Sequence, residues 1–209
     1  LVIKLRDIGH DGSITLIGSE PHPPYQRPPL SKKYLLGEMA LDRMYLRPQS
    51  YYQNQNISLE LSQTVDRIDR ENKLVHLKDK TIPYDELVLT TGSWPRRLPQ
   101  KIGGNLKKVF TVRDLADADA IAPEFSEGRR VLIIGGGYIG LEAAAVAATR
   151  GLQVTLVEMA DRILSRVAAP QTSDYFRNLH QSHGVTIKEG VGLTRLNGGG
   201  DVVSSAELS

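Results

Sequence analysis

Near the middle of the chain the residues Val131-Leu132-Ile133-Ile134-Gly135-Gly136-Gly137-Tyr138-Ile139-Gly140 run together, and Glu158 follows after an alanine-rich stretch. Glycines at this spacing suit close approach of a backbone to a pyrophosphate. Gly135 would make the tight turn, Gly137 would let the main chain near the phosphates, and Gly140 would allow close helix–strand packing. A helix starting beyond Gly137, with Tyr138 and Ile139 at its head, adds free N–H groups and a partial positive charge. Glu158 can accept hydrogen bonds from an adenosine ribose and would repel a 2′-phosphate, which favours NADH over NADPH. The glycine spacing alone is a weak signal, and an ordinary glycine turn in a βαβ unit is the alternative. The apolar strand before it, the helix after it and the acid beyond supply the context that the fingerprint requires.

Two further segments could touch a ligand. Residues 23–32 read Pro-Pro-Tyr-Gln-Arg-Pro-Pro-Leu-Ser-Lys. The prolines hold an extended loop and Ser31 can cap the next helix. By physics alone this is a rigid linker or a polyproline ligand. Residues 84–92, Tyr-Asp-Glu-Leu-Val-Leu-Thr-Thr-Gly, read as an apolar strand ending in a small-residue turn, where Gly92 permits close backbone approach. The five histidines are scattered with no ligand spacing, so no metal site is expected.

These residues need an α/β framework. Residues 1–6 read as the tail of an amphipathic helix, broken by Gly9 and Gly12, and 14–17 as a buried parallel strand closing at Gly18-Ser19-Glu20. A helical 31–37, short strands at 57–61 and 74–77, and the apolar run 87–89 follow. Helix 114–121, strand 130–134, helix 137–150 and strand 154–158 then make a βαβ unit. Gly198-Gly199-Gly200 reads as a hairpin turn. The order helix–glycine–strand–acid at 149–158 has an earlier counterpart at 8–20. The expectation is therefore two dinucleotide-binding units, the first lacking its opening strand and glycine loop. On that expectation 111–209 is the better-ordered half and 1–110 carries an incomplete sheet.

Composition narrows the chemistry. The chain has 209 residues, 40% hydrophobic and 24% charged, an ordinary globular balance. A net charge of +2, without a Lys/Arg run, argues against nucleic acid. No apolar stretch reaches the roughly 20 residues of a membrane span. With no cysteine, a redox-active dithiol, a thiolate zinc site and a Cys-ligated iron–sulfur cluster are excluded from this chain. Electron chemistry would have to use a bound organic cofactor.

Taken in order, residues 23–32, Tyr45-Leu46-Arg47, residues 84–92, Arg113-Asp114 and residues 135–142 resemble the FAD/NAD(P)-dependent ferredoxin reductases of oxygenase systems, the putidaredoxin, rhodocoxin and rubredoxin reductase group. The resemblance implies an α/β fold of two Rossmann-like dinucleotide-binding domains of the glutathione reductase type. Residues 1–110 would be an FAD-binding domain, N-terminally truncated, and 111–209 a NAD-binding domain incomplete at its C-terminal end. FAD and NADH are the implied cofactors, a ferredoxin or rubredoxin the implied partner, and the cytoplasm the implied location.

Residue by residue, the resemblance places Arg27 and Lys32 against FAD, Val65 at its adenine end, and Thr91 and Gly92 near its phosphates. Arg113 would reach the flavin. Ser19 stands where the family has an acid, with Glu20 beside it, so either could meet the FAD ribose. Gly135, Gly137, Tyr138, Ile139, Gly140 and Glu158 would hold NADH. Lys32 and Glu142 would pair in a dry site at the flavin edge and form the catalytic pair, each keeping the other charged. Hydride would pass from NADH to FAD and single electrons onward, with no general base. The rival readings are a redox-linked signalling flavoprotein like apoptosis-inducing factor, a disulfide reductase (opposed by the missing cysteines) and a non-catalytic nucleotide-binding fragment.

Overall fold

A single arginine organises the start of the chain. In the computed structural model, which describes all 209 residues, helix α1 (Val2–Asp7) carries Arg6, whose guanidinium donates to four main-chain carbonyls. Two of these, on His10 and Gly12, lie in the turn after α1 at 2.6 and 2.8 Å. The other two, on Gln55 and Asn56, lie just before strand β2 at 2.9 and 3.0 Å. Arg6 thus brings β1 (Ile14–Ile17) beside the segment that becomes β2.

The chain divides into two units, Leu1–Gln26 with Ala40–Ser93, and Arg27–Met39 with Trp94–Ser209. In the first, short helices α2 (Leu41–Met44) and α3 (Gln49–Asn54) precede β2 (Ile57–Glu60). Strands β1 and β2 pair in parallel, Ile14 opposite Ile57 and Ile17 opposite Glu60. Strand β1 is parallel as expected but not buried: Thr15 is exposed and its neighbours only half-buried, because this sheet has two strands. Strands β3 (Val65–Asp69), β4 (Leu74–Leu77) and β5 (Thr81–Pro83) form an antiparallel meander. Met44, Tyr52, Ile57, Val75 and Leu77 are buried.

One expected strand does not form. After Tyr84, whose N–H donates to Lys73, residues 85–92 join no ladder, and Val88 and Leu89 are 59% and 63% exposed. An apolar run becomes a strand only where a neighbouring strand supplies hydrogen-bond partners.

In the second unit, a 3₁₀ turn (Pro28–Ser31) ends where the expected helix 31–37 would begin, and that helix does not form. Lys32, at φ −137° and ψ −116°, leaves helical geometry, and turns carry the chain to Gly37. Leu35 is nonetheless buried against Ile121 and Val146. Helix α4 (Leu115–Ile121) is capped by Asp114, whose side chain accepts from the Asp117 N–H at 2.9 Å. Strand β6 (Arg130–Ile134), helix α5 (Tyr138–Thr149) and strand β7 (Gln153–Glu158) form the expected βαβ unit, with Arg130 opposite Gln153 and Ile134 opposite Val157.

Helix α6 (Pro170–Ser182) and strand β8 (Thr186–Glu189) extend this sheet in parallel beyond β7. Strands β9 (Leu193–Gly199) and β10 (Val202–Leu208) make the hairpin anticipated at the glycine triplet. The alanines of α5 are packing residues: Ala143, Ala144 and Ala147 are buried, the last two in a core with Leu141, Leu152, Leu156 and Ile163. No helix is long and apolar enough to cross a membrane.

Candidate functional site

The glycine loop leaves β6 while still bonded to its neighbour, the Gly135 N–H donating to the Val157 carbonyl at 2.8 Å. Gly135 then adopts φ +109°, a region that side-chain-bearing residues avoid. A Cβ on Gly140 would lie 2.0 Å from the Gly135 carbonyl oxygen, so α5 can cross the loop this closely only with glycine there. A Cβ on Gly137 would meet nothing within 4 Å. The space over Gly137 is an open cradle that a side chain would fill. It lies at the start of α5, where the first N–H groups have no acceptor within the helix. Tyr138 and Ile139, both more than half exposed, flank that opening.

The middle glycine belongs to the site too, although no role for it follows from the sequence beyond its place in the triplet. A Cβ on Gly136 would come within 2.6 Å of Ile163 Cγ2. Both main-chain polar groups of Gly136 are held. Its N–H donates to Glu158 Oε2 at 2.7 Å, and its carbonyl accepts from the Leu164 N–H at 2.9 Å. Glu158 Oε1 accepts from the Ala160 N–H at 2.9 Å. An ionised carboxylate offers about four acceptor positions, so Glu158 braces the loop and keeps acceptor capacity for a ribose. These features together fit the pyrophosphate and ribose of a dinucleotide.

A second constellation lies on α5 and the proline-rich segment. Lys32 Nζ is 2.7 Å from Glu142 Oε1, and the Ser31 hydroxyl donates to Glu142 Oε2 at 2.6 Å. Ser31 is only 4% exposed and therefore serves this carboxylate rather than capping a helix. The pair is not in a dry site: the side chains of Lys32 and Glu142 are 46% and 28% exposed, since the lysine ammonium stands at the surface and also donates to the Pro28 carbonyl. Arg27 Nη1 donates to the Arg113 carbonyl at 2.9 Å, so the Arg27 guanidinium meets Arg113 at its main chain. The Arg113 N–H is itself held by the Asp117 carboxylate at 2.8 Å.

In the first unit, Ser19 and Glu20 follow β1 as the parallel pairing ends. The Gly18 N–H donates to Glu60, and Ser62 and Gln63 donate to Glu20 and Gly18. Val65 opens β3 just beyond, partly exposed. Glu20 Oε2 accepts from the Tyr25 hydroxyl, a contact that the proline-rich segment provides. Thr91 and Gly92 are exposed in irregular chain, Gly92 with φ +68°.

A parallel strand, glycine loop, helix and second strand ending in an acid define a Rossmann-type dinucleotide-binding unit. The chain belongs to the family described as pyridine nucleotide-disulphide oxidoreductase, which it matches over residues 1–209. It is 46% identical over 187 residues to the ferredoxin–NAD(P)+ reductase of Sphingomonas sp, covering 89% of this chain and 45% of that protein. To the putidaredoxin reductase of Pseudomonas putida it is 41% identical over 189 residues, with the same 89% and 45% coverage. The crystal structure of the ferredoxin reductase for the CYP199A2 system from Rhodopseudomonas palustris matches with a TM-score of 0.93 at 37% identity, over 99% of this chain and 51% of that one. The chain spans about half the length of the curated relatives it matches. The α/β fold with two Rossmann-like dinucleotide-binding domains, expected from the sequence, is that of this family.

Proposed function

We propose that this chain is part of a flavoprotein reductase that takes electrons from NADH through FAD to a ferredoxin or rubredoxin, in the cytoplasm. The observation that carries the reading is the Gly135–Gly140 loop, with its open cradle at Gly137 and Glu158 braced against it. Relatives named as ferredoxin, putidaredoxin and rubredoxin reductases support the acceptor class. On this reading 111–209 is the NADH-binding domain and 1–110 the FAD-binding domain. The bound cofactors supply the hydride and electron chemistry; the protein binds and orients them.

Gly137, Tyr138 and Ile139 present main-chain N–H groups to the NADH pyrophosphate. Glu158 accepts from the adenosine ribose and repels a 2′-phosphate. Arg27, Lys32 and Arg113 are cationic groups for FAD, with Ser19, Glu20, Val65, Thr91 and Gly92 as its remaining contacts. Lys32 and Glu142, joined by Ser31, hold a fixed charge pair for the flavin edge. No general base is required of the chain.

Two measurements test the reading. Calorimetric titration with NADH and NADPH should give the tighter constant for NADH, and Glu158→Ala should narrow the difference while weakening NADH about tenfold, since the hydrogen bonds to the Gly136 and Ala160 N–H groups are lost with the ribose contact. A wild-type preference for NADPH overturns the role of Glu158. With FAD added, NADH-dependent reduction of a [2Fe–2S] ferredoxin supports the enzyme. Nucleotide binding without such reduction would favour the redox-linked signalling reading or the non-catalytic nucleotide-binding fragment.

A further inference from the structure

Behind the glycine loop lies a polar cluster, buried at Ser173 and half-buried at its charged members, that nucleotide contact does not explain. Ile163 is completely buried, and its Cγ2 occupies the place that denies Gly136 a side chain. Both main-chain polar groups of Ile163 are bound by side chains. Its N–H donates to Glu189 Oε1 at 2.8 Å, at the end of β8. Its carbonyl accepts from the hydroxyl of Ser173 at 2.7 Å, on α6.

Each of these two side chains is fixed in turn by an arginine. Ser173, 0% exposed, accepts from Arg162 Nη1 at 2.6 Å. Glu189 receives both Arg177 Nε and Nη2, at 2.8 and 2.9 Å, in the bidentate geometry that orients a carboxylate. The next residue, Leu164, is buried with φ +54°, a conformation a leucine holds only when its surroundings impose it. That strained turn aims the Leu164 N–H at the Gly136 carbonyl.

We propose that Ser173 and Glu189 are positioning residues for the dinucleotide loop, acting through Ile163 and Leu164. Glu158 holds the N–H of Gly136 from one side; the segment seated by Ser173 and Glu189 holds its carbonyl from the other. With the peptide groups on both sides of the Gly136 Cα fixed, the loop keeps its open cradle at Gly137 before any ligand arrives. The binding consequence rests on the NADH reading above, whereas the mechanical coupling does not.

The test is amide hydrogen exchange on the 209-residue chain without ligand, resolved by NMR. Ser173→Ala and Glu189→Ala each remove one hydrogen bond to the Ile163 main chain and unpair an arginine; each should raise exchange at Gly136 and Leu164 roughly tenfold, while β6 amides keep their protection. Glu189→Gln, which keeps an acceptor for the Ile163 N–H, should restore most of it. Unchanged exchange at Gly136 and Leu164 in both alanine variants overturns the proposal.

Should either alanine variant fail to fold, Ser173→Cys, a weaker donor, and Arg177→Gln, which removes the bidentate hold on Glu189, are read by the same exchange measurement. Each should raise exchange at Gly136 and Leu164 severalfold, and unchanged exchange in both overturns the proposal. If wild type binds no NADH, the proposed function fails, and the exchange result still decides this inference.

Discussion

Lys32 Nζ lies 2.7 Å from Glu142 Oε1, an ion pair between the end of the proline-rich segment and the first half of α5. The partners differ in what their loss would do. Lys32 is close to half exposed, so Lys32→Met should change stability by less than about 1 kcal/mol. Glu142→Leu removes the acceptor of the buried Ser31 hydroxyl as well. That should cost about 1–3 kcal/mol. Urea unfolding of the two variants checks the order; equal effects would show that Ser31 contributes nothing.

Two glycines of the loop should separate folding from binding. Gly140→Ala puts a Cβ 2.0 Å from the Gly135 carbonyl oxygen. Stability should fall by about 1–3 kcal/mol, with nucleotide binding lost. Gly137→Ala meets no atom within 4 Å, so the thermal midpoint should stay within a degree or two, roughly, while NADH affinity drops. A Gly137→Ala protein that binds NADH as wild type does would place the phosphates elsewhere.

Arg6→Met keeps an apolar stem but removes all four carbonyl contacts. The loss should be about 1–2 kcal/mol, moderated by partial exposure. Because Gln55 and Asn56 precede β2, amide exchange should rise in β1 and β2 and not in β6 or β7. Uniform loss of protection would mean that the two units unfold together.

Glu124 gives a pH dependence. The hydrogen bond from Lys108, aided by both cations' charges and by Arg129, holds its carboxyl below the ordinary glutamate range, outweighing desolvation. A carboxylate depressed in the folded state contributes stability above its unfolded value, and that contribution disappears as pH falls through the folded value. Glu124→Gln should therefore be less stable than wild type near neutral pH. The two unfolding midpoints should converge as the pH drops below the ordinary glutamate value. Parallel curves across that range would remove Glu124 from the acid response.

The nucleotide loop was legible in the sequence because its determinants are local. The Gly135–Gly140 spacing, the apolar residues 131–134 and the acid at 158 lie within one βαβ unit, where strand, turn and helix preferences act over a few residues. The repeated helix–glycine–strand order was legible for the same reason, and α1–β1 and α5–β7 both follow it. Three features depended on residues distant in the chain. The run 87–89 has strand composition but no ladder partner, so it stays irregular, with Val88 and Leu89 exposed. Ser31 has the chemistry of a helix cap, yet a carboxylate 111 positions away takes its proton donor. Gly136 looks like one glycine among three until Ile163 is folded over it. Side-chain type and spacing set which local conformations are possible; which hydrogen bonds and contacts complete them is decided only when the packed chain brings remote groups within reach.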